Sequence, residues 1–253
     1  SPFFVPFPFP VAEDVLEKQP FEVKLVTAQD LGRGDVAIIG CGRRAYRERE
    51  QYDASDLDDT FEILGRFEEI IVVRAGWTQA FDRWVLRPRS KRVELHVDLC
   101  CPLNADELET LQAKHVDLMK ARVKKATGLT LDWLTKPRNL FPYIRKLYNA
   151  KDGLVLALGH ATGTKSIKEE RMRGQRLDLR DELFHKHGIK AIKGTEAYSI
   201  KKGWPVSSGK NVPSVYIPGH FSNAGAPNAA VRRAVIENCA SLSDFELVIK
   251  KLT

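Results

Sequence analysis

No run of about 18 consecutive apolar residues occurs in the 253-residue chain, so an ordinary membrane-spanning helix is excluded. The patterns GxSxG, HExxH and GxGxxG after a strand are missing, which takes sequence support from serine-hydrolase elbows, zinc-protease helices and dinucleotide-binding folds. No repeat of about 20 to 50 residues is visible, which argues against a solenoid or propeller. Cysteine is sparse. Cys41, Cys100, Cys101 and Cys239 show no CxxC spacing, and the adjacent pair suits neither an ordinary disulfide nor a metal knuckle. The four read as reduced thiols of a cytoplasmic protein. The apolar opening SPFFVPFPFPV lacks a basic leader, and Pro2, Pro6, Pro8 and Pro10 break any signal-type helix. Residues 1–12 read instead as an extended arm suited to docking on a protein partner.

Hydrophobic residues make up 43% of the chain, enough for a core of ordinary size, and the net charge of +7 favours an acidic partner. Nucleic acid is the commonest such partner, because Lys and Arg clustered along a phosphate backbone gain from counterion release. The excess is local. Residues 165–210 hold twelve Lys and Arg against six acids, nearly the whole surplus of the chain.

Alternating apolar residues predict a strand at 21–25 and a second, DVAIIG, after the turn at 31–34. The charged segment GRRAYREREQYDASDLDD has no apolar period and reads as a surface loop or a short exposed helix. Residues 61–99 then form a meander: FEEIIVVRAGW, and a hairpin of FDRWVLRP with KRVELHVDL turning near Arg89 and Ser90. Asn104 and Glu107 have capping-box spacing ahead of a helix that Gly128 ends. A short helix carries Ile144, Leu147 and Tyr148, strands follow in the second half, and Ser243 with Glu246 opens a closing helix. The sum is an α+β protein of mixed, mainly antiparallel strands and a few helices. It divides loosely into 1–135, a meander with a capped helix, and 136–253, a basic α/β lobe.

Three stretches carry candidate chemistry. In residues 152–188, Leu154 to Leu158 suit a buried strand, and Gly159 to Ser166 read as a small-residue turn with Lys165 in it. A GxxxxGK[ST] phosphate loop needs glycine immediately before its lysine, so that backbone amides can fold around the phosphates, but Thr164 stands there. Nucleotide hydrolysis is therefore disfavoured. Phosphodiester contact by Lys165, Ser166, Lys168, Arg171, Arg173 and Arg176 remains the leading reading, with no cofactor; a solvated face is the plain alternative.

The second stretch is the hairpin, where Asp82, Glu94 and Asp98 on adjoining strands suggest a magnesium-dependent nuclease. His96 stands where the usual pattern of such enzymes wants lysine. The third is His185-x-His187 with Asp181 and His160, a spacing that zinc sites use in strands. The acids and bases around it read better as a helix laced with ion pairs, so no metal is assigned.

Overall fold

The computed structural model describes residues 14, 17, 18, 23–53, 69–101, 103–135, 137–164, 166–174, 176–192, 194–206 and 211–252. The arm at 1–12 and Lys165 lie outside the described residues. The architecture is α+β, with one antiparallel sheet of four strands and another of five, accompanied by helices. The chain divides into two compact units, Ser1–Leu131 and Asp132–Thr253. No described helix is long and apolar enough to cross a membrane.

The first unit is a meander in the order β1 (Lys24–Gly32), β2 (Asp35–Asp53), β3 (Glu69–Arg87) and β4 (Arg92–His96). Gly32, Arg33 and Gly34 make the first reversal at φ of 82°, 58° and 81°, which explains the two glycines there. The expected break after Cys41 does not occur. Arg43 to Asp53 continue β2 and pair with β3 without a slip, from Val36 opposite Leu86 to Asp53 opposite Glu69. In the same way the two strands expected between 67 and 88 are one strand, β3.

The reason is lateral. The pairing of β1 reaches Cys41 and that of β4 reaches Arg83, so the rest of the β2–β3 ribbon has no further strand beside it among the described residues. Ile71, Val72 and Val73 are exposed there. A ribbon solvated on both sides has no apolar alternation to betray it.

The capped helix is α1 (Ala105–Thr127). The Asn104 side chain accepts from the Asp106 and Glu107 amides, Glu107 reaches back to the Asn104 amide, and Gly128 ends the helix at φ 74°.

In the second unit the helices α2 (Phe141–Asn149), α3 (Leu183–Ala191) and α4 (Leu242–Lys251) accompany five strands. These are β5 (Leu154–Thr162), β6 (Ile167–Arg171), β7 (Thr195–Gly203), β8 (Ser214–Ile217) and β9 (Val235–Glu237), in the spatial order β6-β5-β7-β8-β9. Ile144, Leu147, Val155, Leu158, Ile200 and Val248 lie in one buried cluster that joins α2 and α4 to the sheet. The closing helix is capped by Ser241, whose side chain accepts from the Asp244 amide, rather than by Ser243.

Two cations finish α2. Lys202 Nζ donates to the Leu147 and Ala150 carbonyls, and Arg180 to those of Tyr148, Ala150 and Gly153, which answers the unpaired carbonyls of a helix C-terminus. Burial pushes the Lys202 ammonium down to about 8, so it is still charged at neutral pH.

Gly159 to Thr162, expected in a turn, belong to β5, and the reversal falls between Thr162 and Ser166. At Gly159 an added Cβ would lie 2.5 Å from Cε2 of the Tyr198 ring, so this glycine serves packing rather than a phosphate. Gly159→Ala should therefore destabilise the chain by about 1–3 kcal/mol. In contrast, Gly188 lies within α3, and a Cβ there would meet nothing within 4 Å. Gly188→Ala should stabilise by about 0.5–1 kcal/mol, and denaturant unfolding of both variants checks the pair.

Candidate functional site

The hairpin carboxylates do not converge. Glu94 pairs with Val85 and His96 with Arg83, so Glu94 shares the face of the odd-numbered β3 residues, while Asp82 projects from the other face. Asp82 is buried, and its two oxygens are taken by Arg44 at 2.8 Å, His115 Nε2 at 2.8 Å and the Asp98 amide at 2.8 Å. Burial alone would raise this carboxyl, but the His115 hydrogen bond and the Arg44 charge outweigh it and hold it below the usual range.

Asp98 turns its own carboxylate to the Phe81 amide at 3.0 Å. Glu94 accepts from Arg87, Arg92 and His96. Each of the three carboxylates proposed for magnesium is thus already engaged by protein donors, and the set is split between two faces. The Asp82 group instead fastens α1 to the sheet through His115, whose ring also stands edge-on to Trp84.

A different set meets in the second unit. His160 projects from β5 opposite Lys168, and Glu170 projects from β6 on the same face, two residues along. The β5–β7 register slips between Gly159 and His160, a bulge at Tyr198 of the kind that re-aims side chains. Glu182 caps α3 by accepting from the His185 amide, which sets His185 on the inward side of the helix. His185 is buried and His187 exposed, because two residues along a helix turn about 200° and cannot share a ligand.

Glu170 Oε2 lies 2.8 Å from His160 Nε2 and 2.7 Å from His185 Nδ1, and the Tyr148 hydroxyl of α2 lies 2.9 Å from His185 Nε2. The donor atoms of His160, Glu170 and His185 all lie within 4.8 Å of one another. One proton assignment satisfies these contacts: both imidazoles donate to an ionised Glu170, and Tyr148 donates to His185 Nε2. Burial would raise the Glu170 carboxyl, but the hydrogen bonds from His185 and His160 leave it below the usual value. The Tyr148 hydroxyl is pushed up, chiefly by burial.

The sequence pattern singles out His160 and His185 but not Glu170 or Tyr148. Alternation along IKEER puts Lys168 and Glu170 on one face of a strand, a signal that the charge of the segment obscures.

Of the expected phosphate contacts, Ser166, Arg171, Arg173 and Arg176 are exposed, and Lys168 is half-buried with Nζ 5.3 Å above the Phe184 ring. Arg171 leaves β6 on the face opposite Lys168.

The Glu94 group gives a pH test. Despite burial, His96 and Arg87 draw its carboxyl from 4.5 down to about 2. A depressed folded value means the stabilisation is complete above the unfolded value and disappears as pH falls through the folded one. Glu94→Gln should cost on the order of 2 kcal/mol at neutral pH. It should also flatten the loss of stability between about pH 5 and pH 2, followed by chemical unfolding across that range. Comparison with known protein families, curated proteins and solved structures returns no match, so function rests on these residues.

Proposed function

We propose that the second unit binds nucleic acid through its phosphate backbone, along the outer edge of β6 and the segment that follows it. The observation that supports this most is the pairing of Phe184 with Lys168: the ring is 69% exposed and the ammonium sits above it. An exposed large aromatic costs apolar surface in water, whereas a base stacked on it recovers that surface and keeps the neighbouring cation near the phosphate. Arg171 and Arg173 are exposed and make no ion pair with any described residue, and Arg176 follows in the same segment. Arginine suits such a partner because its planar fork matches phosphate oxygens. The aromatic platform favours a single strand over a duplex, since paired bases keep their faces stacked on each other.

Fluorescence anisotropy with a labelled single-stranded oligonucleotide tests the reading. Affinity should fall steeply with salt, and Arg171→Ala, Arg173→Ala and Arg176→Ala together should lower the logarithmic salt slope by about 0.7 for every phosphate no longer neutralised. Phe184→Ala should weaken binding by about 1–3 kcal/mol with little change in that slope. Absence of binding at low salt, or a triple variant that binds like the parent, would overturn the proposal.

A further inference from the structure

We propose that His160, Glu170 and His185 form a binding site for a first-row transition-metal dication of the zinc type, with one coordination position open on the Glu170 side. This goes beyond the nucleic-acid reading and does not depend on it. Two imidazoles and one carboxylate are a donor set that suits zinc or ferrous iron, whereas magnesium and calcium want an all-oxygen shell. The three side chains come from β5, β6 and α3: the pleat of the β5–β6 pair puts His160 and Glu170 on one face, and the Glu182 cap sets His185.

Three details point to a cation rather than a closed hydrogen-bond network. Both imidazoles aim at the same oxygen, Oε2, while Oε1 has no hydrogen bond to any described residue. The carboxylate is the wet member: its side chain is 17% exposed against 3% for His160 and 1% for His185, so an ion can enter past it. Tyr148 supplies the outer support that ligating histidines need, because a metal on His185 Nδ1 places the ring proton on Nε2, facing the hydroxyl oxygen at 2.9 Å.

The cost is local. Ligands held at about 2.0–2.1 Å in a tetrahedron stand roughly 3.3 Å apart, so the observed 2.7 and 2.8 Å must open by about half an ångström. His160 Nδ1 is buried without a partner, and a metal on Nε2 moves the ring proton there, which adds an unsatisfied donor to the cost. Three protein ligands and an open fourth position are the arrangement in which a bound water becomes more acidic.

The full chain, stripped with a chelator, is titrated with zinc by calorimetry and with cobalt by visible absorption. One equivalent of each ion is expected. Zinc should shift two of the six histidine ring signals in the nuclear magnetic resonance spectrum and leave the other four in place. Glu170→Gln, which keeps the side-chain volume, should weaken binding at least tenfold. Tyr148→Phe should weaken it by about ten- to a hundredfold, and His187→Ala should leave it unchanged.

Failure of the wild-type chain to bind either ion overturns the proposal, as does zinc binding that moves no histidine signal. A cobalt spectrum with a thiolate charge-transfer band would assign the ion to cysteine rather than to this cluster, and that also overturns it. Because the ring signals are read on the wild-type chain, the outcome stands even if a variant fails to fold.

Discussion

One carboxylate on an edge strand holds much of the second unit in register. Glu170 receives His160 from the neighbouring strand and His185 from α3, and His185 in turn receives the Tyr148 hydroxyl of α2. The side chains of β5, α3 and α2 are thus linked to β6 by one chain of polar contacts, beside the β5–β6 ladder. A half-buried ionised group is costly unless every donor around it is aligned, so the positions of α2 and α3 are constrained by hydrogen-bond geometry. The same polar discipline appears at the C-terminus of α2, where Lys202 and Arg180 answer its carbonyls and Asp178 holds Arg180 in place.

The first unit solves a similar problem with different residues. Asp82, buried on β3, is met by Arg44 from β2 and His115 from α1, and the helix is fastened to the sheet at that point. Here the carboxylate has both oxygens occupied and an arginine to neutralise it. At Glu170 one oxygen carries both bonds and no arginine is among its hydrogen-bond partners. A buried pair of the Asp82 kind is complete as it stands, and removing one partner would leave a charge stranded. The contrast separates a closed structural anchor from a group with capacity to bind something further.

Legibility in the sequence followed whether apolar periodicity or local capping carried the signal. Asn104, Glu107 and Gly128 bounded α1 from chemistry within a few residues, and the structure places the caps there. The β3–β4 reversal near Arg89 and Ser90 was equally local, as was the antiparallel α+β character of the whole. In the far half of the β2–β3 ribbon the β3 side was read as a strand from FEEIIVVRAGW, but the β2 side was not legible. Ala45 and Arg47 to Glu50 are exposed whichever way they point, so RRAYREREQYD shows charge where a half-buried strand would show alternation. Gly159 misled for a related reason: a glycine demanded by the Tyr198 ring looks, in one dimension, like a glycine demanded by a turn. The clustering of Glu170 with His160 and His185 depended on the β5–β6 pairing and on the docking of α3, and neither is encoded in local spacing.

Strand alternation gives β6 two separate roles one residue apart. Lys168 and Glu170 face the helices, while Glu169 and Arg171 face the other way, with Glu169 Oε1 taking the Tyr198 hydroxyl at 3.2 Å. A phosphate held by Arg171 would pull on the same short strand that carries Glu170. β6 is an edge strand paired on one side to β5, so Glu170 is held by that single ladder and by its bonds to His160 and His185, outside the core built on β5 and β7.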